Sequence, residues 1–283
     1  MKKYAIAFVA LLLLTKSVNL SAQTTTSDND KVRFGLRITP QPTWFTSNDK
    51  NNLPNGSVMG FGFGLNLELK ITSVAYLLTG IGGDFEGGKY KLRNEPGTYN
   101  VVYWLDRDNN YVQPALARKK SSIVYALDNR KISTTFLSIP LQLKLLTSEY
   151  SGVRYYGLFG GELGIRIAMK SNDHYTETRI YETDSTYVVT GSHFTSTGLN
   201  IGEEGSFPVR FGLNAGLGME YRLGGSTTFF SSVSFFRSFV GVLDSPSPYL
   251  YYRSEISGGK ETYQFVKSNL RQNAIRISFG LMF

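Results

Sequence analysis

The chain has no cysteine among its 283 residues. That removes disulfides, thiolate metal sites and a cysteine nucleophile together, and it leaves no residue for lipoprotein acylation. It says nothing about compartment, because a chain without cysteine fits any of them. Long hydrophobic runs are missing too: the longest, from Tyr4 to Leu14, is about 11 residues, against roughly 20 for a membrane-spanning helix. No long amphipathic helix is legible. Zinc-finger, RRM-like and helix-turn-helix patterns are all absent. The formal charge is +8, and taking away the three lysines of the first segment leaves +5, a mild excess. The remaining Lys and Arg are scattered singly along the sequence, so no nucleic-acid partner is expected.

What is present begins with "MKKYAIAFVALLLLTKSVNLSAQ": a basic start at Lys2 and Lys3, a short apolar core, and small residues at Ser21 and Ala22 before Gln23. This predicts a cleaved export signal over 1–22. A short polar segment follows over 23–31, and the rest of the chain, 32–283, reads as one domain.

From Val32 onward the pattern alternates with period two, which is the signature of strands. Eight are predicted: Val32 to Phe45, Val58 to Ile71, Val74 to Phe85, Ile132 to Leu146, Val153 to Met169, Phe207 to Leu223, Thr227 to Leu243 and Asn273 to Phe283. Short connections at Thr72 and Ser73, at "TSEYSG" and at "GGST" strictly alternate with long ones. All tight turns therefore fall on one rim and all long loops on the other. Within the long loops "YNVVYWLDRDNNYVQPAL", "YTETRIYETDSTYVVT" and "YLYYRSEISGGKETYQFV" each read as two extended runs around a polar turn, and predict protruding hairpins.

The second strand places Phe61, Phe63, Leu65, Leu67, Leu69 and Ile71 on one parity and Gly60, Gly62, Gly64, Asn66, Glu68 and Lys70 on the other. The sixth repeats this arrangement. An eight-stranded barrel is only wide enough inside to be filled by side chains, so the large apolar residues must face outward into lipid. Parity is ambiguous in the third strand and in the seventh, "TTFFSSVSFFRSF", where a bulge is an option. Trp44, Phe45, Phe85 and Phe136 at the long-loop ends and Tyr155, Tyr221 and Phe283 at the short-turn ends suggest aromatic girdles. The expected fold is all-β: a transmembrane up-and-down antiparallel barrel with short periplasmic turns and long extracellular loops, integral to an outer membrane and in contact with its lipid.

On "SAQ", "FGLRITP", "FLSIPLQLKLL" with Pro140 inside it, "GLFGGELGIRI" and the terminal "RISFGLMF", the mature chain resembles the PorT-like outer-membrane barrels, and in general shape the OmpX/OmpA group. The resemblance implies that Phe279, Leu281 and Phe283 form a signal for the outer-membrane assembly machinery. It also implies an envelope protein partner, since PorT-like members are implicated in type IX secretion, although no residue of this chain maps onto that role.

The best-defined polar site is the lumen. By parity Arg37, Glu68, Lys70, Lys144, Glu162, Arg166, Arg210, Glu220, Arg222 and Arg276 point inward, where charges must be paired or wetted. The expectation is a plug of ion pairs, the alternative a small transport pore. No enzyme, cofactor or metal site is expected. His174 and His193 share the third long loop, but Ser192 and Ser196 stand at the wrong spacing from His193 for a shared strand face. "DRDNN", Asp106 to Asn110, begins like a calcium loop but has Tyr111 where glycine belongs and Ala117 where a bidentate glutamate belongs. The long loops concentrate tyrosine, Tyr103, Tyr111, Tyr125, Tyr175, Tyr249, Tyr251, Tyr252 and Tyr263 among them, which suits either a binding surface or cross-strand bracing.

Overall fold

The computed structural model describes residues 31–48, 52–92, 101–108, 110–117, 121–182, 185–188, 193–200, 208–243, 246–256, 260–267 and 269–283. The expected signal segment lies outside them. In chain order the strands are β1 (Val32–Ser47), β2 (Asn52–Pro54), β3 (Val58–Lys70), β4 (Ala75–Leu92), β5 (Val101–Leu105), β6 (Ser122–Leu146), β7 (Val153–Glu182), β8 (Ser185–Val188), β9 (His193–Asn200), β10 (Val209–Gly224), β11 (Thr227–Ser238), β12 (Pro246–Ile256), β13 (Lys260–Lys267) and β14 (Leu270–Met282).

Eight of these close a ring in the order β1, β3, β4, β6, β7, β10, β11 and β14, each antiparallel to both neighbours. The ring closes where β14 pairs with β1, from Gly35 opposite Met282 to Ser47 opposite Leu270. Phe283 exchanges two backbone hydrogen bonds with Phe34, 3.2 and 2.7 Å. Closure leaves no free edge among the eight ring strands, as strands sitting in lipid require.

The outward face is apolar along every ring strand. Phe61, Leu65, Leu141, Phe159, Leu217 and Val233 are all largely exposed, while Gly62, Asn66, Gln142 and Ser232, each next to one of them in sequence, are buried inside. A surface of this composition around a closed ring is a lipid-facing one, and the fold is a transmembrane β-barrel. Among the described residues no helix is long and apolar enough to cross a membrane; the strands do the crossing.

The two ambiguous strands resolve without a bulge in their spans. In β4 the even positions Tyr76, Leu78, Asp84 and Glu86 face inward. In β11 the register with β10 runs unbroken from Gly212 opposite Ser238 to Arg222 opposite Thr228, so Phe230 and Phe236 are inside and Phe229 and Phe235 outside. Their aromatics fall on both faces because the lumen needs large rings as well. The girdle expectation fails for two residues by the same logic: Phe45 and Phe136 share parity with Arg37 and Lys144 and are buried in the lumen. Trp44 and Phe85 do face outward.

β6 and β7 run much further than the sequence pattern suggests, pairing from Leu146 opposite Tyr156 up to Ser122 opposite Tyr181. Register shifts at Val124/Tyr125 and Leu127/Asn129 move side chains between faces, and that hides the alternation. Pro140 lies within β6 opposite Glu162, with its β4 ladder pairs recorded on either side, Thr79 with Leu141 and Gly82 with Ser138. A proline cannot donate to that ladder.

Above the ring stand β8 on β7, and the β12 and β13 hairpin, which joins the sheet through β5. The first expected loop hairpin is short: Tyr111 bridges back to Leu105, the Asp106 N–H donates to the Asn110 carbonyl and the Val112 N–H to the Trp104 carbonyl, both at 3.0 Å, and the chain then enters a 3-10 turn at Pro114–Leu116. β5 also pairs with β6 and β12, because all five of its side chains are large and apolar and both its faces need cover.

Candidate functional site

The inward parity gathers its charges into two levels. Nearest the short-turn rim, Arg33 bridges Glu68 and Glu220, the latter at 2.9 Å. Lys144 reaches the same two carboxylates, Glu68 at 2.6 Å. Two cations meet two anions, so the level is neutral. It stands on an aromatic floor: Lys144 Nζ lies 4.4 Å from the centre of the Tyr156 ring and Arg33 5.0 Å from that of Tyr76, with Phe230, Leu146 and Met282 packed beside them.

The second level centres on Glu162, which is buried and accepts from Arg276 Nη2 at 3.0 Å and from Arg210 Nη2 at 2.9 Å. Arg276 also donates to Glu86 at 3.0 Å and to Gln41 at 2.9 Å, and Asp84 lies 4.0 Å from it. Arg210 contacts Glu86 as well. The rings of Phe136 and Phe236 flank the guanidinium groups, 4.1 and 4.6 Å from Arg210, with Phe236 also 4.2 Å from Arg276. Arg37 projects into this level, its Nη2 close to Gly64 and Gly82, so three cations face Asp84, Glu86 and Glu162. Charges out of water are tolerable only when matched in this way.

Inward glycines make space for these rings. A Cβ on Gly212 would come 2.5 Å from Phe236 Cζ, and one on Gly218 would come 2.3 Å from Tyr156 Cζ. The alternation of Gly with long polar residues thus gives the inward rings and charged side chains room to pack.

Six of the ten residues predicted for the lumen, Glu68, Lys144, Glu162, Arg210, Glu220 and Arg276, are buried in the two levels, and Arg37 is half-buried beside them. Lys70 is half-buried at the short-turn end of β3. Arg166 is half-buried opposite Phe136, at a register shift. Arg222 departs from expectation: its side chain is 51% exposed and reaches Glu149 at the rim, 3.4 Å away. It stands two residues from Gly224, at the mouth rather than within. Arg33, Asp84, Glu86 and Gln41 were missing from the set. Arg33 was legible, since it shares parity with Arg37; Asp84 sat on the strand whose parity was ambiguous, and Glu86 fell just past that strand's expected end at Phe85.

Toward the long-loop rim the lumen turns apolar. Phe45, Tyr90, Ile132, Met169 and Leu270 pack together with Val101, Tyr103, Leu105, Leu250 and Val266 from the loop strands. Tyr103, Tyr125 and Tyr175 form a triangle with ring centres 4.6 to 6.1 Å apart. Burial pushes the Tyr125 phenol up to about 12 and raises Tyr103, Tyr175 and Tyr251 as well. The other face of β5 has a second small core, with Trp104 5.1 Å from Tyr263 and 5.5 Å from Tyr251. Beside it a cleft is lined by Gln113, Pro114, Ala115, Tyr251, Tyr263 and Phe265.

His174 is exposed on β7 opposite Asn129. Along β9, His193 stands opposite Thr176 and Ser196 opposite Asp173, and Ser192 lies outside the described residues. Within "DRDNN" Arg107 and Asp108 form a turn, and Asp106 Oδ1 accepts from the backbone of Asp108 and Asn110, both at 2.9 Å; Asn109 lies outside the described residues.

Fold and interior together define the class, an eight-stranded transmembrane barrel with paired charges on its inward face. No protein-family model and no curated protein matches the chain. Among solved structures it is similar to Neisserial surface protein A, with 12% identity, 87% of this chain and 95% of that one covered, and a TM-score of 0.31. It is also similar to Ail, the attachment invasion locus protein of Yersinia pestis (11%, 89% and 99%, 0.28), and to a major outer membrane protein of Thermus thermophilus (10%, 89% and 98%, 0.36). The fold assignment rests on the strand register and the outward face, not on these similarities.

Proposed function

We propose that this chain is a non-enzymatic integral outer-membrane barrel whose lumen is plugged and whose Tyr-rich extracellular strands serve a structural or interaction role. One observation carries the reading: two charge-balanced side-chain levels lie across the barrel, beneath an apolar layer, so an ion crossing it would have to break paired buried charges. The support for interaction is the cleft beside Trp104, where Phe265 is largely exposed. In this reading the chain is exported through a signal cleaved before Gln23 and folded by the outer-membrane assembly machinery through Phe279, Leu281 and Phe283.

Conductance of the purified, folded protein in planar bilayers tests the plug. The expected trace is flat, and stable single-channel steps would replace this reading with a transport pore. Fractionation of the envelope with amino-terminal sequencing tests the location and the cleavage together. Recovery in the soluble fraction, or an intact Met1, would reject the corresponding part.

A further inference from the structure

In the sequence the lysines are spread singly, but the register gathers four of them on one outward patch. Lys89 of β4 stands directly opposite Lys131 of β6, and Lys131 opposite Asn172 of β7. One outward step toward the loops, Lys91 is opposite Asn129; one step toward the membrane, Ser133 is opposite Lys170. The three rows cross three adjacent strands and hold no Asp or Glu. Lys89, Lys91 and Lys170 are exposed and Lys131 is half-buried. Among the described residues none of the four has an ion-pair partner. Of the acidic groups beside these strand segments, Glu86 and Asp173 point into the lumen and are engaged there by Arg210, Arg276 and Arg130, while half-buried Asp128 accepts from the Thr176 hydroxyl at 2.9 Å.

Like charges directly opposite across a ladder are destabilising, and among the described residues no ion pair offsets them. The level is informative. Phe85 and Ile167 are exposed apolar residues of the lipid belt, and Lys89 lies four residues beyond Phe85, about 13 Å along the strand. Thr135 stands opposite Phe85 at the edge of the belt, and Ser133 stands opposite Lys170 in the first lysine row. A ligand here has its apolar part beside the belt and its anion among the lysines.

We infer that the β4–β6–β7 face carries a binding site for the phosphomonoester headgroup of a membrane lipid in the long-loop leaflet. The inference rests on the outer-membrane reading of the barrel. The lipid's phosphate lies between Lys89, Lys131 and Lys170, with Ser133 as a hydroxyl donor, and clustered lysines at a membrane surface attract anionic headgroups in this manner.

The test uses the mature protein folded in neutral detergent, with bisphosphorylated lipid A as the probe and native mass spectrometry to count bound lipid. Heat-modifiable gel mobility is checked first, so that a failure to fold as a barrel is seen separately. The expected result is retention that weakens at least 10-fold in a Lys89→Gln/Lys131→Gln/Lys170→Gln variant and is unchanged in Arg222→Gln, a cation at the opposite rim. Equal retention of dephosphorylated lipid A, or a triple variant that binds like the parent, overturns the site. Complete competition by inorganic phosphate assigns the same lysines to the free anion and overturns the lipid.

Discussion

Arg130 on β6 and Asp173 on β7 stand opposite each other and share two parallel hydrogen bonds, 2.7 Å from Nε to Oδ1 and 2.6 Å from Nη2 to Oδ2, with both side chains fully buried. The pair sits beyond the membrane, in the extended part of the barrel wall beside Tyr103. Removing one partner leaves a buried charge alone, whereas removing both does not. Asp173→Ala and Arg130→Ala should each lower unfolding stability in detergent by about 3–5 kcal/mol. Arg130→Met combined with Asp173→Leu should cost less than either. Urea titration followed by tryptophan emission reads the cycle, with Trp104 in the neighbouring small core as reporter. Additive losses would mean that the two residues act independently.

Glu162 and Glu149 offer a contrast within one barrel. Glu162 holds Arg276 and Arg210 in the buried second level, while Glu149 meets Arg154 at 3.0 Å and Arg222 at 3.4 Å on the open rim. Glu162→Gln should shift the temperature at which the compact gel band is lost markedly downward, by an equivalent of about 3–5 kcal/mol. Glu149→Gln should cost under about 1 kcal/mol and lose even that in high salt. Equal shifts would show that the second level is reached by water.

These two sites also mark where the sequence stops being informative. Glu162 was legible because β7 alternates cleanly through "GLFGGELGIRI", so its inward position follows from its neighbours alone. Arg130 and Asp173 were not legible: they lie past the point where polar residues appear on both faces, and only the β6–β7 register reveals that the ladder continues. Arg222 shows the reverse error, since parity gave its side of the sheet but not its height, and at the end of a strand inward means the rim. The eight-strand ring was recoverable from the alternation of short and long connections. The two-sided burial of β5 was not, because periodicity carries no signal when both faces are apolar.

The cap tyrosines set an alkaline limit. Tyr125 is pushed up to about 12 by burial, and Tyr103 is raised too, against about 10 in an unfolded chain. The folded form therefore holds its phenolic protons more tightly. The stability this brings is complete below pH 10 and is lost as pH rises from 10 through about 12. Absorbance at 295 nm should show these tyrosines ionising late and together with loss of near-ultraviolet dichroism. Ionisation near 10 with the dichroism intact would mean that the triangle is wet. The Tyr103 hydroxyl is buried without a hydrogen-bond partner, so Tyr103→Phe should leave stability at neutral pH equal or higher.

Gly218 tests whether the lumen is filled to contact. It stands on β10 opposite Tyr156 of β7 and Ser232 of β11, and an added Cβ would meet Tyr156 Cζ at 2.3 Å and the Ser231 carbonyl oxygen at 2.5 Å. The ring has little freedom to retreat, because its hydroxyl donates to the Ser231 carbonyl at 3.2 Å and Lys144 lies over its face. Gly218→Ala should therefore cost about 1–3 kcal/mol from overpacking, although alanine is otherwise a better strand residue than glycine. Tyr156→Leu alone should also destabilise, by removing the ring beneath Lys144. In the double variant the smaller side chain makes room for the methyl group, so the penalty of Gly218→Ala measured in the Tyr156→Leu background should fall to that of the backbone contact alone. A penalty of the same size in both backgrounds would place the whole conflict at the Ser231 carbonyl and remove the ring from the account.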